Sequence, residues 1–154
     1  PKGQTPEVAT SGQRQAINAI SAVNARGEFW FKIYAERLNK ELFLQFLKAF
    51  LRGRRTPVIL VVDGHPAHRA KLISSYVQSL RGRLEIHFLP GYAPELNPDE
   101  FVWNHLKHEG VSKKPLRQGE SLRARVEADL ERIRRRPALV RSFFRAPSVA
   151  YAMY

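Results

Sequence analysis

An α/β fold, with a mixed sheet flanked by helices, is what the sequence predicts, and three observations carry the prediction. Residues 16–25 and 29–34, on either side of Gly27, read as an antiparallel hairpin. Residues 57–62 and 84–89 read as strands enclosing a helical pattern, an order for which a right-handed parallel crossover is the economical connection. Apolar stripes at helical spacing near both 43–51 and 122–133 supply the flanking layers.

Each element has a local cause. Pro1, Gly3, Pro6 and Gly12 make residues 1–14 an extended or looped lead-in. Ile17, Ile20 and Val23 fit strand or helix, and the aromatic run from Phe29 to Tyr34 decides for a hairpin. Asn39 can cap a helix reaching about Arg52, with Phe43, Phe46, Leu47, Phe50 and Leu51 inward and Gly53 to end it. The run Val58-Ile59-Leu60-Val61-Val62 is of the kind expected for a strand covered on both faces. After Pro66, a helix is marked by Leu72, Ile73, Tyr76, Val77 and Leu80 and closed by Gly82. Residues 84–89 form the next strand, and Pro90, Gly91 and Pro94 exclude regular structure until Asn97-Pro98 starts a helix carrying Phe101, Val102, His105 and Leu106 inward to Gly110. The last long helix buries Leu122, Val126, Leu130 and Ile133, Pro137 ends it, and Phe143 and Phe144 cover remaining apolar surface.

A chain of 154 residues with 44% hydrophobic content has room for one domain with a core, and 1–154 reads as that single domain. No apolar run approaches a membrane span and no signal peptide is visible, so a soluble, intracellular protein is expected. Zero cysteines exclude disulfides and thiolate zinc sites. Pro1, in place of an initiator Met, suggests a piece of something longer.

The net charge of +12 is uneven. Residues 1–56 hold ten cations against four acids, residues 57–111 five against six, and residues 112–154 eleven against four. Basic ends around a near-neutral middle favour a phosphate backbone as partner, with solubility alone as the plainer explanation. Candidate DNA contacts are His65 and His68, Lys107 on the 98–110 helix, the loop residues Lys113 and Lys114, and Arg123 and Arg134 on the last helix. For the two histidines the alternatives are turn hydrogen bonds and, for His68, proximity to Asp63; a zinc site has little support without Cys or an H-E-x-x-H helix. No G-x-S-x-G elbow and no P-loop pattern is present.

Two carboxylates stand out in that middle. Asp63 ends the 57–62 strand, where an α/β sheet gathers its ligand-binding loops, although an Asp before Gly64 can equally cap a turn. Glu100 follows Asn97 by three residues with Pro98 between, the pattern of a capping box, so it can be a cap rather than a ligand. The proline- and aromatic-rich loop before it is longer than a strand-to-helix connection needs. Two such acids suit Mg²⁺ or Mn²⁺, which take few protein carboxylates and leave positions for water and phosphate. Trp103, three residues on, is expected in the core.

Val61-Val62-Asp63-Gly64-His65-Pro66-Ala67-His68 resembles the second acidic motif of the mariner-like transposases of bacterial insertion sequences, in the DDE superfamily of endonucleases. Leu89-Pro90-Gly91-Tyr92-Ala93-Pro94-Glu95-Leu96-Asn97-Pro98-Asp99-Glu100-Phe101-Val102-Trp103 resembles the third and is the more specific, and Lys2-Gly3-Gln4-Thr5-Pro6 is similar to the segment after the first. The resemblance implies a ribonuclease H-like mixed sheet flanked by helices, here lacking the first, central strand with the first acidic residue, and lacking the helix-turn-helix DNA reader. It implies Asp63 and Glu100 as catalytic metal ligands for Mg²⁺ or Mn²⁺, with Asn97, Pro98 and Trp103 as structural members of the motif. Implied too are cleavage and strand transfer on DNA, at element ends and target, in a nucleoid-associated bacterial protein that acts on no small molecule or membrane. A homodimer is a further expectation, since exposed sheet edges recruit partners. With two acids of three, the fragment is expected to be inactive alone. The alternatives are a noncatalytic DNA-binding remnant and another ribonuclease H-like nuclease or resolvase.

Overall fold

The computed structural model describes residues 2–4, 7–10, 13–91, 93–110 and 116–153, with side chains from Ile17 onward. Three short strands, β1 (Lys2–Gln4), β2 (Glu7–Thr10) and β3 (Gln13–Ala16), occupy what the turn-forming residues predict as a looped lead-in. The difference has a topological reason. β1 borrows its order from a neighbour by pairing antiparallel with β4 (Asn18–Val23), and β2 and β3 pair with each other. β4 and β5 (Phe29–Tyr34) form the expected hairpin, in register from Asn18 opposite Tyr34 to Val23 opposite Phe29. Gly27 makes its turn with φ +97°, and a Cβ there would lie 2.6 Å from the Pro137 carbonyl oxygen, so only glycine fits.

β4 is buried on both faces, and its alternation builds a layered core. Ile17 and Ala19 face one cluster with Val102, Trp103, Leu122, Val126 and Leu130; Ile20 and Ala22 face the other with Phe43, Leu47, Leu60 and Val62. α1 (Lys40–Leu51) starts at Asn39, whose side chain accepts a 2.8 Å bond from the Leu42 N–H. It covers the second face with Phe43, Phe46 and Leu47, and Gly53 follows with φ +77°.

β6 (Val58–Val62) and β7 (Leu84–Phe88) pair in parallel, as the crossover predicts. The expectation that β6 is covered on both faces fails: Leu60 and Val62 are buried, whereas Ile59 is 67% exposed. Helices pack on one side of the strand, and among the described residues β6 pairs only with β7. The crossover helix is also divided, into α2 (Pro66–Arg69) and α3 (Lys71–Ser79), by an extended Ala70. That break leaves His68 on the Asp63 loop while Ile73 reaches the core.

One tight turn, Pro94–Leu96, interrupts the loop predicted to be irregular, and α4 (Asp99–His105) follows, widening into a π turn over Leu106–Gly110. Trp103, Val102 and Leu106 are buried as expected, with Phe101 and His105 half-buried. α5 (Leu122–Arg134) buries all four predicted positions, and Ser121 caps it by accepting from Ala124 N–H at 3.0 Å. Pro137 does more than end this helix: it occupies the first turn of α6 (Pro137–Ser142), a position that suits a residue without an N–H. Phe144 is buried and Phe143 half-buried beyond it. No helix among the described residues is long and apolar enough to cross a membrane.

Candidate active site

The last residue of β6 delivers Asp63 to the carboxyl end of the parallel pair. Two donors orient it. The His65 N–H donates to Oδ1 at 2.9 Å, and the His68 Nδ1 stands 3.1 Å from both that oxygen and the Asp63 carbonyl. His68 is 1% exposed, with its ring 4.4 Å from that of Phe43, so it braces the loop from inside the core. His65 accepts the Ala67 N–H at its Nδ1, 3.0 Å away, and caps α2. Burial pulls the His65 pKa below its ordinary value, and the neighbouring His68 adds to this against the pull of Asp63. A neutral ring suits its acceptor role. Asp63 thus sits on a built turn, as an Asp before Gly64 can, and it also lines a cleft.

The third-motif loop forms the facing wall. The Leu89 N–H bonds the Val62 carbonyl at 2.8 Å, carrying the parallel pairing one residue further before Pro90 ends it. A cleft of about 450 Å³ then opens between Asp63, Gly64 and His65 on one side and Leu89, Pro94 and Asn97 on the other. Tyr151, near the C-terminus, donates its hydroxyl proton to the Leu96 carbonyl and steadies this wall.

The start of α4 differs from the capping box. The Asn97 side chain accepts the Asp99 N–H at 3.0 Å and its carbonyl accepts the Glu100 N–H at 3.0 Å, while its own N–H is taken by the Pro94 carbonyl at 3.0 Å. The backbone donor that a capping-box Glu100 would need is therefore engaged, and an Asx turn replaces the box. Glu100 is half-buried one turn past the cleft wall and does not itself line the cleft. Among the described residues no group of three or more His, Asp or Glu is arranged to hold a metal ion.

Sequence reasoning missed Asp99 and Ser21. Asp99 is fully buried, and the Ser21 hydroxyl of β4 donates to its Oδ2 at 2.6 Å while accepting the Trp103 indole N–H at 3.1 Å. The signal was present: Asp99 and Trp103 are four residues apart on one helical face, and Ser21 falls on the same strand face as Ile17 and Ala19.

The candidate DNA contacts are scattered. Lys107 and Arg123 are exposed, and Arg134 is held by Glu131, with Nε 3.0 Å from each carboxylate oxygen. None of the three lines the Asp63 cleft, and Lys113 and Lys114 lie outside the described residues. A further cation, Arg69, stacks on Phe88 at 4.3 Å and would meet a Cβ at Gly64 at 3.3 Å, beside Asp63.

The family model for DDE superfamily endonucleases matches residues 1–123. The chain belongs to that family. No curated protein matches this DDE endonuclease. Its fold is shared with the catalytic domain of the Mos1 mariner transposase, at 17% identity over 99% of this chain and 81% of that one, with a TM-score of 0.62. A Mos1 mariner paired-end complex with Mn matches at 14% identity over 99% and 55%, TM-score 0.58, and the catalytic core domain of BIV integrase at 19% over 84% and 80%, TM-score 0.50. At these identities the likeness is one of fold, and that fold is the ribonuclease H-like one the resemblance implied.

Proposed function

We propose that this DDE endonuclease is the catalytic part of a DNA transposase of the mariner-like, insertion-sequence kind, with Asp63 and Glu100 as two of its metal-binding acids and Mg²⁺ or Mn²⁺ as the ion. The observation that carries the reading is the cleft at the end of β6: Asp63 is aimed by two donors, and the opposite wall leads within one turn to Glu100. Carboxylate oxygens are the donors these hard cations prefer, so the residues present fit the ion. When bound, such an ion lowers the pKa of an attacking hydroxyl and offsets charge on the leaving oxygen. His65 and His68 keep the Asp63 carboxylate in one orientation, and the Asx turn at Asn97 fixes where α4 presents Glu100. The solved Mos1 paired-end complex with Mn, of the same fold, supports both the metal and a DNA partner. The uneven +12 charge supplies the attraction to DNA, with the exposed Lys107 and Arg123 as contacts.

Duplex DNA binding measured by fluorescence anisotropy tests this. Affinity should fall as salt rises, and Mn²⁺ should tighten binding severalfold, an increment lost in both Asp63→Asn and Glu100→Gln. Binding indifferent to metal and to both substitutions would leave a noncatalytic DNA-binding remnant.

A further inference from the structure

We infer that Asp99 is a positioning residue for Glu100, acting through a buried bridge from α4 to β4, an inference that rests on the reading of Glu100 as a metal ligand. The bridge has a fixed polarity. Indole nitrogen only donates, so the Trp103 N–H must give its proton to the Ser21 oxygen. The single hydroxyl proton of Ser21 is then directed at Asp99 Oδ2, 2.6 Å away. All three residues are shielded from solvent, where a hydrogen bond to a carboxylate is strong and its geometry is closely held.

The placement of the bridge ties it to the site. Asp99 and Trp103 stand one helical turn apart, so Ser21 is gripped at two points along α4, and the helix can neither rotate nor slide on β4 without breaking one bond. Asp99 is also the residue whose N–H closes the Asx turn of Asn97, a cleft-lining residue. Glu100 is the next residue along. Its direction is therefore set by the Asp99 bond on one side and by its own N–H to the Asn97 carbonyl on the other. Of two adjacent acids, one is spent inside the fold to aim the other.

Mn²⁺ binding to the full 154-residue chain, read by the EPR signal of free Mn²⁺, tests the inference, with thermal unfolding recorded for every variant. Glu100→Gln is the control for the underlying reading and should abolish the binding. Ser21→Ala removes both grips on α4 and should weaken Mn²⁺ affinity about tenfold, the low end of what losing ligand-orienting groups costs. Trp103→Phe keeps the Ser21–Asp99 bond but removes one grip and some packing, and should lower the melting temperature while weakening Mn²⁺ affinity by a smaller factor than Ser21→Ala. Should Ser21→Ala not fold, Trp103→Phe decides, and unchanged Mn²⁺ affinity in that variant overturns the inference. Affinity within twofold of wild type in folded Ser21→Ala, with Glu100→Gln abolishing binding, overturns the positioning role and leaves the metal reading intact. Unchanged affinity in Glu100→Gln overturns the reading itself and the inference with it.

Discussion

His68 illustrates how a residue can matter to a site without facing it. Its Nδ1 holds the Asp63 loop, its ring packs on Phe43, and its Nε2 finds no partner among the described residues. Phenylalanine can replace the ring but not the bond. His68→Phe should therefore cost about 1–2 kcal/mol, the range for a lost buried hydrogen bond. His68→Ala, which also opens a cavity, should cost about 3 kcal/mol or more. Urea denaturation of the two variants separates packing from bonding, and a neutral or stabilised His68→Phe would show that the bond to Asp63 adds nothing. Spacing alone placed His68 near Asp63, yet not its burial, because a histidine five residues after a strand end can face either way. Asp99 was less legible still. An acid in the first turn of a helix ordinarily serves the helix dipole, and only the tertiary approach of Ser21, 78 positions earlier, gives it a buried partner.

Elements whose cause is local were readable in full. The β4–β5 hairpin, α1 with its Asn39 cap and the four-residue stripe of α5 follow from alternation, capping and helical spacing, all properties of contiguous sequence. Elements whose cause is a distant partner were not. β1 exists because β4 pairs with it, and α3 separates from α2 because His68 and Ile73 answer to different neighbours. β6 is the instructive case, since its uninterrupted apolar run looks like a strand with two covered faces. In the structure its faces are unequal, and stability should report this. Leu60→Ala should cost about 2–5 kcal/mol, whereas Ile59→Thr, at a 67% exposed position, should stay within about 0.5 kcal/mol. A cost at Ile59 comparable with that at Leu60 would mean that this face is covered after all.

In the whole molecule, a basic chain is layered around β4. Helices α1 and α3 on one side and α4 and α5 on the other sandwich β4, and the carboxyl end of the parallel pair looks into the cleft of Asp63. The strands fall in three pieces among the described residues, β1-β4-β5, β2-β3 and β6-β7, and the first and last are joined through the core that α1 shares with both. Family membership follows from the match over residues 1–123, and the ribonuclease H-like architecture from the solved neighbours. The pairing of Asp63 with Glu100 at one metal ion is the proposal that remains to be tested. A crystal structure of the chain grown with Mn²⁺ tests it most directly. The expected result is an ion held by oxygens of both Asp63 and Glu100 at about 2.1 Å, with Asp99 still bonded to Ser21; carboxylates more than about 8 Å apart, with no ion between them, would rule the pairing out.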